Sequence, residues 1–277
     1  MAMTAPSSSD LTRAPLTMFS EEEELFRAAV ADLAESEVRP RVRAMEDAGK
    51  IDPVLTAKFV ELGLMGIELP EEFGGAGGSL MMVAIAVEEL SKVDASAAIQ
   101  VDVQNTLVNY PLYRYGNAEQ RARILPRMTA GTIGAYALSE PGSGSDAFGL
   151  ATRAEKTEGG WTLNGSKAWI TNGGEADVFV VFANTRPDMG YKGITAFIIE
   201  RGTPGFSVGK KEDKLGIRAS ATCDDKIVLP CKLTGATIPP KRITSSSFPT
   251  AKRFSPPTFR FPLGNTSRTV TVMVPLN

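Results

Sequence analysis

Two short runs hold the residue types that can bind and orient a reactive ligand. The first is Tyr136-Ala137-Leu138-Ser139-Glu140-Pro141-Gly142-Ser143-Gly144-Ser145-Asp146. It starts as a strand, Pro141 sets a turn, and two glycines let a backbone come close to a ligand. Amides and hydroxyls in such a loop suit a pyrophosphate. An ordinary Gly/Ser turn fits the spacing equally well. Gly142, Gly144 and Ala147 also fit G-x-G-x-x-A, but that fingerprint needs a helix and a βαβ unit after it, and strand-like sequence follows here. The second run is Trp169-Ile170-Thr171. A Trp in a strand is usually core packing. Thr171, two residues on, points to the same strand face, so an indole plane and a hydroxyl stand side by side and together can hold a flat heterocycle.

Other chemistries are excluded by what is missing. The 277 residues include no histidine, which removes imidazole acid–base steps, Ser-His-Asp and Cys-His catalysis. Cys223 and Cys231 are the only cysteines, too few for a four-ligand zinc site or a disulfide scaffold, and no metal site is expected. A net charge of −2 argues against nucleic-acid binding by the whole chain. No apolar run is long enough to span a membrane. The first 14 residues have one basic residue, Arg13, and no apolar core, so they do not read as a targeting signal.

The elements that must position these runs change along the chain. Residues 1–17 read as a flexible start and 18–131 as a helical domain. Ser20-Glu21-Glu22-Glu23 is a capping box, and Leu25, Ala29, Leu33 and Val38 follow at helical spacing until Pro40, which should bend or end the helix. Helices are predicted near 53–62, 79–92, 94–115 and 117–128. The helix at 79–92 is apolar nearly all round, hence buried. The glycine run 74–78 precedes a helix but has neither a strand before it nor the P-loop Lys-Ser/Thr, so a helix–helix turn is favoured over a phosphate loop. Residues 132–229 read as an antiparallel β domain, with strands at 132–139, 178–183, 194–199 and 206–209 and a hairpin of 161–164 with 167–171. The fold class is therefore α+β. Residues 226–277 carry eight basic and no acidic residues and eight of the 18 prolines. The tail 230–277 is expected to be irregular, apart from a short strand at 268–274; a contact with an acidic partner is the less favoured reading of its charge.

Taken together, the runs YALSEPGSGSD, NGSKAWITNGG, GYKGITAF and KLGIRAS, in this order and spacing, resemble the acyl-CoA dehydrogenases. VDASAAIQVDVQNTL and GYKGITAF look most like the short/branched-chain members. The resemblance covers about residues 16–224. It implies an N-terminal helical domain, a middle β domain and FAD-dependent α,β-desaturation of an acyl-CoA thioester, in which a glutamate takes the α-proton and the β-hydrogen leaves as hydride to the flavin. It also implies that Tyr136, Ala137, Leu138 and Ser139 lie along the flavin, and that Gly144 and Ser145 sit at the FAD pyrophosphate. Trp169, Ile170 and Thr171 pack on the flavin and bond near its N5. Ser145, Tyr191 and Gln104 contact the acyl-CoA. Electron-transfer flavoprotein is the implied acceptor, a homotetramer the implied state of a full-length relative, and the cytoplasm, or the mitochondrial matrix in a eukaryote, the implied location. The family's base glutamate belongs to a C-terminal helical domain, and here the resemblance stops at Cys223-Asp224. The expectation is a truncated chain, with residues 225–277 a shifted frame or a fused end, that alone is inactive or binds FAD weakly. Glu140 and Asp146 are nearby carboxylates to which the family gives no role as base.

Overall fold

The computed structural model describes residues 18–233 and 237–238, with side-chain surroundings through Asp224. The described residues open as an interrupted helical rod: α1 (Glu21–Leu33), a π turn at Ala34–Val38, a 3-10 turn at Arg39–Arg41, and α2 (Val42–Ala48). The capping box forms, with the Glu23 amide donating to Ser20 Oγ and the Ser20 amide donating to the Glu23 carboxylate. The buried face is offset by one residue from the predicted one. Phe26, Val30, Ala34 and Val38 are inside, whereas Leu25 is 59% exposed. Steps of four residues drift by about 40° on an α-helix, and the wider π turn reverses the drift and keeps Val38 inside. Pro40 does not end the rod. It lacks a donor, and the π and 3-10 turns absorb the missing bond. Gly49, at φ +65°, closes α2 in the left-handed conformation.

The remaining helices are α3 (Pro53–Glu61), α4 (Leu80–Ser91), α5 (Ala95–Asp102), α6 (Tyr110–Tyr115) and α7 (Ala118–Thr129). Their starts follow the polar caps: Asp52, Ser79, Asp94 and Asn117 each accept a backbone amide of the first turn. α4 is not buried all round. Met82, Val83, Ile85, Ala86 and Leu90 face the core, but Leu80 is 63% exposed. The glycine run is a helix–helix turn: the amides of residues 75–78 all donate to carbonyls of residues 66–70. A Cβ on Gly75 would lie 2.0 Å from the Leu69 carbonyl oxygen. Between α5 and α6 the predicted single helix widens into a π turn at Val103–Asn109.

The strands are β1 (Gly134–Ala137), β2 (Arg153–Thr157), β3 (Gly160–Ile170), β4 (Val178–Asn184), β5 (Ile194–Glu200), β6 (Phe206–Lys211), β7 (Cys223–Leu233) and β8 (Thr237–Ile238). They form one sheet in the order β6-β7-β3-β2-β4-β5-β8, with β1 pairing β4. The sheet is mixed rather than wholly antiparallel. β1 and β2 both run parallel to β4, because the β2–β3 hairpin intervenes before the chain returns as β4. The predicted hairpin within 161–171 is also corrected. Residues 160–170 are one strand that passes through Gly165, where a Cβ would lie 2.3 Å from Thr152 Oγ1. The turn sits instead at residues 158–159, between β2 and β3. The tail does not become irregular at 230. β7 runs on through Leu233, and β8 pairs with β5. The expectations for residues 1–17 and for a strand at 268–274 lie outside the described residues.

β4 explains how the two halves join. Alternate residues of a strand face opposite sides. Phe179 and Val181 enter the core shared with α1, α4 and α5, and Val178 and Val180 enter a second core with Leu112, Ile124 and Met128. The continuous apolar run VFVVFA is the signature of a strand buried on both faces. Polar ties add to this. Gln104, in the π turn, donates to the Met128 and Thr132 carbonyls and accepts the Gly134 amide at 2.9 Å. Arg123 and Arg127 of α7 both pair with Glu200 at the end of β5.

Candidate functional site

Trp169 is one of three non-glycine residues at positive φ among the described residues, with Asn172 and Ile217. It adopts φ +62°, a region that bulky residues avoid, and its side chain is 62% exposed between buried Ala168 and Ile170. The register explains the reversal. Lys167 opposes Asp225 and Ile170 opposes Cys223, so β3 carries one residue more than β7 across this step. The bulge turns the indole out of the core. Past it, exposure alternates again, from buried Ala168 to exposed Trp169 to buried Ile170. β3 ends at Ile170, and Thr171 is half-buried in the turn that follows.

The loop holding Trp169 is tied to both ends of β1. Before it, the Ala168 amide donates to the Ser139 carbonyl at 2.9 Å, and Lys167 Nζ donates to the Leu138 carbonyl at 3.0 Å. After it, Asn172 (φ +62°) donates from its side chain to the Gly134 carbonyl at 3.1 Å. The structure thus brings Leu138, Ser139, Trp169, Ile170 and Thr171 into one neighbourhood. Tyr136 and Ala137 lie on the strand that carries it. Tyr136 packs against Phe182 in a tilted contact, ring centroids 4.9 Å apart, and burial pushes its phenol above the ordinary range. Ala137 is fully buried.

Lys167 and Glu140 form an ion pair at 2.7 Å, with side chains 0% and 4% exposed. The Glu140 carboxylate also accepts the amides of Ala151, at 2.6 Å, and Thr152, at 3.1 Å. Burial pushes Glu140 up, but the bonds from Lys167, Thr152 and Ala151 outweigh it and hold the carboxyl below its ordinary range. Glu140 is therefore a structural anion with its lone pairs occupied. No signal in the spacing joins two residues 27 positions apart. A lone Lys at a buried strand position, however, requires a buried acid.

Glu140 and Ser143 close a tight turn over Pro141 and Gly142 with two backbone bonds, and Gly144 and Ser145 follow it in the exposed loop. A second group forms where this loop meets the turn at Pro187–Gly193. Phe148 and Tyr191 stack at 5.3 Å, both largely exposed, and Lys192 Nζ lies 5.9 Å from the Tyr191 ring. The sequence reading named Tyr191 and missed Phe148, since nothing in the spacing foretells a contact between the two loops. Gln104 does not join either group. It is fully buried, and its amide is spent on the three backbone bonds described above. A separate cavity of about 500 Å³ lies at the opposite end of β1, bordered by Lys50, Thr56, Gln100, Ile133 and Glu175.

Comparison with known proteins identifies both domains. Residues 20–132 match the family "Acyl-CoA dehydrogenase, N-terminal domain" and residues 135–227 match "Acyl-CoA dehydrogenase, middle domain". A probable short/branched chain specific acyl-CoA dehydrogenase of Dictyostelium discoideum is 49% identical over 226 residues, covering 80% of this chain and 55% of its own. Among solved structures, a glutaryl-CoA dehydrogenase from Mycobacterium smegmatis in complex with FADH2 superposes with a TM-score of 0.75 at 34% identity, covering 80% of this chain and 56% of that one. A chain from a structure of the electron transferring flavoprotein of Acidaminococcus fermentans gives 0.76 at 38%, covering 80% and 59%. The chain spans about half the length of the curated relatives it matches. With both domain matches contiguous, and with the strand end and the exposed indole lying inside the second, the chain belongs to the acyl-CoA dehydrogenase family.

Proposed function

We propose that this chain forms the FAD- and acyl-CoA-binding part of an acyl-CoA dehydrogenase acting on short or branched-chain thioesters. The observation that carries the reading is Trp169, an aromatic plane held out of a β-bulge at positive φ, beside the open end of β1. Strain of this kind costs about 1–3 kcal/mol and persists where a function requires it. The residues fit a flavin. The exposed indole offers a stacking face, while Leu138 and Ser139 offer backbone groups, and Ser139 a hydroxyl, to a ring edge. Gly144 and Ser145 lie in a loop suited to a pyrophosphate. When bound, FAD supplies the two-electron acceptance that no side chain here provides. Ala137 and Ile170 are packed behind this surface, and Thr171 is carried on the turn next to Trp169. Phe148, Tyr191 and Lys192 would meet the acyl-CoA, with Ser145 between the two ligands. Gln104 would act from behind, by fixing the start of β1.

Glu140 is not the base, because its carboxylate already accepts Lys167 and two amides. The proton-abstracting group is assigned outside the described residues, and residues 18–224 bind and orient. Electron-transfer flavoprotein is the proposed acceptor, and the cytoplasm, or the mitochondrial matrix in a eukaryote, the proposed location. Titration of the purified chain with FAD tests the reading. Trp161 and Trp169 are its only indoles. Saturable quenching of their emission, lost in Trp169→Ala, is the expected result. A chain that leaves both flavin and Trp emission unchanged at high FAD removes the proposal. Turnover of a short acyl-CoA by this chain alone would overturn the placement of the base.

A further inference from the structure

The Glu140–Lys167 pair lies just beneath the proposed flavin surface, with both side chains buried. We propose that these two residues are positioning residues: a buried clamp that sets the Leu138 carbonyl and the exit of Trp169 in one fixed relation. The inference rests on the flavin reading above only for what the clamped surface meets. The connectivity carries it. Lys167 Nζ reaches Glu140 at 2.7 Å and the Leu138 carbonyl at 3.0 Å, so one ammonium joins β3 to the end of β1. Glu140 adds the amides of Ala151 and Thr152, so the chain entering β2 is held by the same centre. The next amide of β3, that of Ala168, bonds the Ser139 carbonyl. Two successive residues of β3 are thus fastened to two successive residues after β1. The very next residue is the strained Trp169.

Core stability alone does not explain this choice. A buried ion pair is seldom more stabilising than apolar side chains of similar volume, because both charges lose their hydration. What the pair provides is direction: a cation with defined donors, a planar acceptor with four lone-pair sites, and little freedom for either to move. A Leu–Leu contact in the same place would fill the volume and leave the Leu138 carbonyl free to rotate.

The test compares the full chain with Lys167→Met and with the double variant Glu140→Gln/Lys167→Met. The double variant removes both charges but keeps an acceptor for the Ala151 and Thr152 amides. Three quantities are read: thermal melting, amide exchange of Glu140, Ser143, Ala151, Thr152 and Ala168, and FAD affinity by Trp quenching. The single variant melts well below wild type. The double variant recovers most of that loss, yet its FAD affinity stays lower by about tenfold or more, the cost expected from a binding group misplaced by a fraction of an ångström. Its exchange at Glu140, Ser143 and Ala168 stays faster than in wild type, while the rest of β3 is unchanged. A double variant that melts and binds FAD like wild type overturns the clamp. If the wild-type chain binds no FAD, the flavin reading falls and the clamp is judged on exchange alone. Faster exchange confined to this loop upholds it, and uniform or unaltered exchange overturns it.

Discussion

Trp169 and Lys167 stand two residues apart and sit at opposite energetic extremes. The first is exposed and strained, so removing it costs the fold little. Trp169→Gly relieves the positive φ and gives up little buried area. We expect melting to be unchanged or raised, by up to about 1 kcal/mol, with FAD affinity reduced, as measured by urea unfolding alongside flavin titration. A drop in stability would mean that the indole packs in a way the structure does not show. Lys167 is the reverse. Lys167→Met leaves the Glu140 carboxylate buried without its cation and should cost about 3–5 kcal/mol in urea unfolding. The pH dependence follows from the same pair. Glu140 is held below its ordinary value of 4.5. Its contribution is complete above that value and is lost as pH falls through the lower, folded one. Acid unfolding of wild type should therefore include a step below pH 4.5 that Glu140→Gln lacks.

At the scale of elements, the π turn at Val103–Asn109 does more than link two helices. Gln104, Asn105 and Asn109 are all buried there, and their amides bond backbone of residues 64–67, 128 and 132–134. Gln104→Ala orphans a buried Gly134 amide and two carbonyls. A loss of about 2–4 kcal/mol is expected, larger than for any single cap. Ser20→Ala, at the other extreme, removes only an exposed cap and should cost about 1 kcal/mol. Denaturant melts of the two variants check the ranking. These elements also show what was legible in the sequence and what was not. Caps announced themselves, since Ser20, Ser79, Asp94 and Asn117 act through neighbours three residues away. The apolar run of β4 was equally plain. The phase of α1 was misread because a π turn alters the period without any residue that marks it. The strand through Gly165 was misread as a hairpin because Gly-Ser suits a turn, and only the approach of Thr152 reveals a different need for glycine. At the site, strand end and indole were legible as local runs. The Glu140–Lys167 pair and the Phe148–Tyr191 stack were not, because each is made by parts of the chain that only the fold brings together.

Across the whole molecule, the surface retains large exposed apolar groups. Phe148 and Tyr191 are stacked and largely exposed, Trp169 stands out of its bulge, and Leu215 is fully exposed beside Ile217, itself at φ +54°. Exposed apolar groups that meet in a contiguous patch favour association. The purified chain is expected to self-associate as concentration rises, and Leu215→Ser should reduce this. Light scattering over a concentration series reads both outcomes, and a monodisperse wild-type monomer at high concentration would contradict the first. The double burial of β4 has another result. One strand serves two cores, one reaching into α1, α4 and α5 and the other into α7, so neither half can lose its packing while the other keeps its own. The two family domains should then melt in a single transition. The amides of Phe179 to Val181 should exchange last, at the free energy of global unfolding. A protease supplied at low concentration should find no early cut at residues 132–135, where one matched domain gives way to the next, because the boundary in sequence is not a seam in the cooperative unit.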